Sequence, residues 1–229
     1  MANLTQLRML EGLDGFLLVD KPAGLAFSTV VKTVKRKFNL VKVGHGGSLD
    51  AMASGLFIIL INDANKFVDR VMGADRTYTG TMKFGETTDT GDRYGRPVPL
   101  PSRVMTPEEA KGDLFQTEPR FCAVRREGSA DYEVVDTGEH KQFLSHVYRF
   151  EVGDDADGKG AAFSLVASKG VIVRALAQDL GATLTSLRRT AIGKFDVTDA
   201  VPFDRLLIIV KVPFKNMGVT SLIYSTRPP

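Results

Sequence analysis

With one cysteine, Cys122, this 229-residue chain cannot form an intramolecular disulfide or assemble a cysteine-based metal centre. Its three histidines, His45, His140 and His146, lack the spacing of metal ligands, so no metal is expected. Long apolar runs are missing as well. The densest, residues 56–61, has the length of a buried strand and falls far short of the roughly 18 residues of a membrane span. Residues 1–13 show neither a basic stretch followed by an apolar one nor an Arg-rich, acid-free amphipathic pattern, so any targeting segment is weak or already removed. The expectation is a soluble protein of a reducing compartment, cytoplasm or mitochondrial matrix, with no membrane partner. A large charge imbalance is also absent: 30 basic side chains face 27 acidic ones, for a net charge of +3. Overall charge therefore says little about nucleic acid. Its distribution says more, because Lys32, Lys35, Arg36, Lys37 and Lys42 cluster without an acid among them and could meet phosphates.

What is present reads as a mixed α+β body around a large sheet. Residues 15–20 form a short buried strand closed by a Lys21-Pro22-Ala23-Gly24 turn. A helix follows with Ser28 as its N-cap, and Val30, Val31, Val34 and Phe38 lie on one side at helical spacing. Residues 44–55 make a loop, 56–61 a strand, 64–71 a short helix and 77–84 another strand. Thr106-Pro107-Glu108-Glu109 reads as a capping box opening a helix to about Phe115. Strands are expected at 143–152 and 161–167. Val173, Leu176, Ala177, Leu180 and Leu184 mark the stripe of a second substantial helix. Residues 119–142, charged and weakly periodic, look like an excursion inserted into the sheet.

The segment richest in chemistry runs from Gly44 to Gly55, with four glycines and one carboxylate, Asp50, set among apolar residues. Such a carboxylate suits nucleophilic or acid–base work, provided a cation from elsewhere keeps it ionised. The alternative is an Asp capping a turn. Arg174 offers the cation, since it falls in the first turn of a helix, where positive charge is disfavoured unless an anion is near; the alternative is a surface arginine pointing to water. Tyr78, on a strand between two threonines, suits a core aromatic or a stacking platform for a base. Lys21 reads as a turn residue unless the fold brings it to the site.

Taken together and in order, these segments resemble the TruB family of pseudouridine synthases over about residues 15–205. The matching stretches are 15–24 with its Lys-Pro-x-Gly turn, Gly44-His45 through Ser48-Leu49-Asp50 to Ser54-Gly55, and Arg76-Thr77-Tyr78. Thr88-Asp89-Thr90 with Asp92, Ser168-Lys169-Gly170 with Arg174, Asp179-Leu180-Gly181 and Leu187-Arg188-Arg189-Thr190 complete the series. The resemblance implies a pseudouridine synthase-like α+β domain with a mainly antiparallel central sheet flanked by helices. It implies Asp50 as the catalytic aspartate, Arg174 as its ion-pair partner and Tyr78 stacked on the target base. His45 would help evert the uridine, and Lys21 would support the pocket. No cofactor is implied. The partner would be a structured RNA, tRNA (its T-loop uridine) or rRNA, bound by a monomer. Departures include Ala51 where the family commonly has proline and Val171-Ile172 where it has Thr-Tyr. In domain terms, residues 1–14 read as an N-terminal extension and 15–205 as the catalytic domain with an insertion near 119–142. Residues 206–229 read as a C-terminal extension without the family's accessory RNA-binding domain. A second reading from another class is an RNA-binding ribosome-assembly factor, associated with an assembly intermediate such as that of the mitochondrial large subunit, in which the chemistry is vestigial.

Overall fold

The computed structural model describes residues 14–117, 121–125, 132–136, 142–154, 160–206, 211–213 and 220–222. In chain order its main strands are β1 (Gly15–Lys21), β2 (Val43–His45), β3 (Ser54–Ile61), β4 (Arg76–Phe84), β5 (Gly112–Thr117), β6 (Gln142–Asp154), β7 (Ala161–Ala167) and β8 (Ala182–Ile192). The helices are α1 (Phe27–Lys37), α2 (Val68–Gly73) and α3 (Val173–Asp179). The chain divides into two compact units, one of residues 1–74 with 189–229 and the other of residues 75–188, the boundary falling within β8.

In the first unit β1 and β3 pair antiparallel from Gly15 opposite Ile61 to Lys21 opposite Gly55. β2 flanks the far end of β3, with Val43 opposite Ile61. From Gly55 onward every residue of β3 is buried, because the pair is covered on both faces. One face packs Phe16, Leu18, Leu56, Ile58 and Leu60 against Ala64, Val71 and Ile192. On the other, Phe27 of α1 sits 6.0 Å from the ring of Phe57. A strand buried on both sides has no polar alternation to show, which is why residues 56–61 read as an unbroken apolar run. Helix α1 begins two residues earlier than expected. Its N-cap is Ala26, which makes no side-chain cap bond, and Ser28 already lies inside the helix. Burial of Phe27 sets that start: the extended backbone at Ala26 turns so that the ring is almost fully covered. The segment expected as one helix at 64–71 is a 3₁₀ turn, Asn62–Phe67, running into α2.

In the second unit β4 pairs antiparallel with β7 from Arg76 opposite Ala167 to Met82 opposite Ala161. β7 pairs with β6, whose register slips between Val147 and Arg149, and β6 pairs with β5. Within 119–142, Phe121–Arg125 and Tyr132–Asp136 form an antiparallel hairpin.

Two helical expectations fail here. The capping box at Thr106 and Glu109 exists, with both reciprocal bonds made, at 2.8 Å and 3.2 Å. It closes only a turn, and residues expected to continue the helix are strand β5. There Leu114 and Gln116 are buried while Asp113 and Phe115 are exposed, an alternation of period two fixed by pairing with β6. Helix α3 likewise ends at Asp179. Gly181 at φ 62° takes the left-handed turn that Leu180 would resist, and Leu184 belongs to β8. After β8, Phe203–Arg205 form a 3₁₀ turn. Among the described residues no helix is long and apolar enough to cross a membrane.

Candidate active site

Asp50 lies half-buried at the centre of a loop that leaves β2 and returns as β3. Leu49, Met52 and Ala53 beside it are buried and anchor the loop to the core. Ala53 N–H closes a turn on the Asp50 carbonyl at 3.1 Å. At the loop entrance, Gly46 N–H bonds the Ile58 carbonyl at 2.8 Å, fixing the loop against β3.

Two cations lie beneath this loop. Lys21, at the end of β1, is fully buried, and its ammonium donates to the carbonyls of Pro22 (2.9 Å), Leu25 (2.8 Å) and Ala51 (3.4 Å). Three N–H bonds thus meet three acceptors, from the turn after β1 and from the loop. Burial pushes the ammonium down to about 8, against the raising effect of the Asp50 carboxylate and with a smaller lowering effect from Arg189. Ala51, which lacks the ring of a proline, is held through its carbonyl, since Gly24 N–H also bonds it at 2.7 Å. The second cation, Arg189 of β8, is buried and reaches the carbonyls of Gly47, Ser48 and Leu56. Lys21, Asp50 and Arg189 are therefore neighbours in one unit. Arg189 lies within the Leu187-Arg188-Arg189-Thr190 motif, where no role was expected of it. The available signal was strand parity, because Arg189 has the same parity along β8 as the buried Leu187, with the less buried Arg188 between them.

His45 ends β2, its ring 5.3 Å from that of Phe27 and stacked at 5.8 Å on that of Phe57. Its Nδ1 accepts a bond from Gly47 N–H at 3.3 Å, so the neutral ring carries its proton on Nε2. Lys32, Lys35, Arg36 and Lys37 are all exposed on α1, whose buried side is Phe27, Val30 and Val34. The last three also complement the C-terminal end of the helix dipole.

Tyr78 and Arg174 belong to the second unit. Tyr78 is buried on β4 opposite Leu165 of β7. Arg174 is the second residue of α3 and is buried, its guanidinium donating to the Thr90 carbonyl at 2.7 Å. The chain before it is held by a group that sequence reasoning missed. The fully buried Gln116 amide accepts from Ile172 N–H and donates to the Ile172 carbonyl, each at 3.0 Å. Ile172 therefore has its backbone fixed by a side chain 56 residues away, whatever its own side chain cannot do. The Thr88-Asp89-Thr90 loop is tied in turn to α3 by Gln178, which donates to the Thr88 carbonyl at 2.6 Å. Among the described residues no group of three or more His, Cys, Asp or Glu could hold a metal ion.

Residues 35–173 match the TruB family pseudouridylate synthase N-terminal domain. Full-length relatives are similar over most of the chain. The tRNA pseudouridine synthase B of Azoarcus sp. (strain BH72) is 37% identical over 210 residues, covering 84% of this chain and 69% of that protein. That of Bordetella avium (strain 197N) is 36% identical over 215 residues, covering 86% and 88% respectively. Among solved structures, an H/ACA RNP bound to a substrate RNA containing 2'-deoxyuridine includes a chain with a TM-score of 0.59 at 25% identity, matched over 87% of this chain and 54% of that one. A Cbf5-Nop10-Gar1 complex contributes a similar fold at a TM-score of 0.60 and 23% identity, over 87% of this chain and 55% of that one. These likenesses do not favour a binding-only assembly factor. With the ordered motifs, the mainly antiparallel fold and relatives at this identity, the chain belongs to the TruB family of pseudouridine synthases, enzymes that isomerise uridine in RNA.

Proposed function

We propose that residues 15–205 isomerise a flipped-out uridine of a structured RNA, the T-loop uridine of tRNA, with Asp50 as the reacting carboxylate. The observation that carries this reading is the Asp50 loop itself, a carboxylate set on apolar anchors above two buried cations whose bonds go to main-chain carbonyls. The names of the relatives, tRNA pseudouridine synthase B, support tRNA over rRNA as the substrate.

The isomerisation breaks the bond from ribose C1′ to N1 of uracil and forms one from C1′ to C5. The C5 proton leaves and N1 gains one, so composition is unchanged and neither oxidant nor cofactor enters the balance. A base cannot turn within a stack, so it must first leave the helix. Asp50 supplies the nucleophilic or basic carboxylate. Arg174 is the cation assigned to that carboxylate, Tyr78 the aromatic assigned to the base, and His45 the side chain assigned to eversion. The ammonium of Lys21 supports the loop. The exposed Lys32, Lys35, Arg36 and Lys37 are assigned to phosphate, and neutralising them lowers the log–log salt slope of RNA binding by about one unit per lost contact.

The test is Asp50→Asn. Asparagine keeps the shape but has no anionic oxygen, so fold and RNA affinity are retained and pseudouridine formation on a tRNA transcript is abolished. A substituted protein that still forms pseudouridine removes Asp50 from the chemistry, and a native protein that forms none on any bound RNA removes the reading.

A further inference from the structure

Arg189 buries a full charge, only 1% exposed, in the middle of β8. Its Nε donates to the Leu56 carbonyl at 2.8 Å, one terminal nitrogen to Ser48 at 2.8 Å and the other to Gly47 at 3.4 Å. The acceptors come from both stems of one loop: Gly47 and Ser48 lead into Asp50, and Leu56 follows it. The stems also press on the arginine's own backbone. Gly55 sits at φ 105°, and a Cβ there would collide with the Arg189 carbonyl oxygen and lie 2.8 Å from its nitrogen. Only glycine fits that crossing.

Taking a guanidinium out of water is strongly unfavourable unless its hydrogen bonds compensate. An apolar side chain would fill the same place without that cost, so the presence of arginine points to what it holds. We propose that Arg189 is a positioning residue for the uridine isomerisation, stitching the two stems of the loop together and thereby setting the place of the Asp50 carboxylate. The inference rests on the reading of Asp50 as the reacting group. Lysine cannot take over the stitch. The three bonds here leave from three nitrogens of one rigid plane toward residues 47, 48 and 56, whereas an ammonium is a single point on a flexible stem.

The experiment compares native protein with Arg189→Lys and Arg189→Gln. It measures melting midpoint, RNA affinity, single-turnover pseudouridine formation on a tRNA transcript, and amide exchange at Ala53, whose N–H bonds the Asp50 carbonyl. Arg189→Lys is expected to fold and to bind RNA within about twofold of native. Its turnover should fall on the order of 100-fold, the scale of a misplaced reacting group, with faster exchange at Ala53. Arg189→Gln should show the same split to a greater degree. Native turnover in folded Arg189→Lys, or losses of rate and affinity that are equal, overturns the proposal. Should either variant fail to fold, Arg189→citrulline preserves the outline and the Nε donor while replacing one terminal nitrogen by oxygen. The same split is expected there, and native turnover overturns the stitch. A native protein without synthase activity would sink the reading of Asp50 instead, and exchange at Ala53 would still decide whether Arg189 holds the loop.

Discussion

The Asp50 loop of the first unit and the Thr87 to Gly95 loop of the second are each gripped through main-chain carbonyls by a buried guanidinium, Arg189 on Gly47 and Ser48 in the first and Arg174 on Thr90 in the second. They differ in what else fastens them. In the first, a further cation gathers carbonyls, with Lys21 on Ala51. In the second, carboxylates gather donors. Asp92 accepts from Tyr94 N–H and from the Thr90 hydroxyl, both at 2.9 Å, and Asp89 accepts from Arg96 N–H at 2.8 Å. A loop fastened through its carbonyls depends on its cations staying protonated, and one fastened through its N–H groups depends on its acids staying ionised. The two loops should therefore fail under different perturbations.

The largest difference should appear at alkaline pH. Lys21 titrates at about 8 when folded and at 10.5 as a free side chain. Between those values the unfolded chain binds more protons, so global stability rises with pH through that window, by about 3 kcal/mol in all. Turnover should move the other way, because a neutral amine has only two N–H bonds for three carbonyls and the longest contact, to Ala51, is the first to go. Denaturant melts at pH 7.5 and pH 10 alongside single-turnover rates measure both. In Lys21→Met the pH dependence of stability in this window should vanish, and a slope as steep as the native one would assign it to another group. Asp92→Ala comes next. It strands one part-buried N–H and one part-buried hydroxyl and should cost about 2 kcal/mol, with no change in the alkaline window. A shared pH signature would break the contrast between the loops. Smallest of all, Thr106→Ala removes one side of an exposed capping box that leads into no helix, and its melting midpoint should match the native one within duplicate error.

The legibility of these regions in sequence follows the same divide between local and distant causes. β3 was readable from residues 56–61 because a strand covered on both faces needs no partner information to be apolar throughout. The helix expected after Thr106 was not, because a sound local capping signal was overruled by pairing with β6, which sets Leu114 opposite Ser145 and Gln116 opposite Phe143. Helix α3 was overextended for a related reason: Leu184 continues the helical stripe on paper, while Gly181 ends the helix in space. Asp50, Tyr78 and Arg174 were named as candidates from ordered motifs, and Lys21 only conditionally. Arg189 and Gln116 were missed because their function lies in bonds to residues 133 and 56 positions distant, and nothing in the neighbouring sequence records such a bond.

The separation of 141 residues between Ser48 and Arg189 also has a temporal meaning. Residues 75–188 form an uninterrupted stretch, whereas the unit that holds Asp50 is assembled from chain on either side of it. A ribosome delivers the loop early and the arginine late. Until β8 has emerged, the carboxylate sits on a segment whose stems have no guanidinium between them, and at synthesis rates of about 5–20 residues per second that interval lasts on the order of ten seconds. The nascent chain can therefore pass through a period in which the carboxylate proposed to react has been made but not yet aimed.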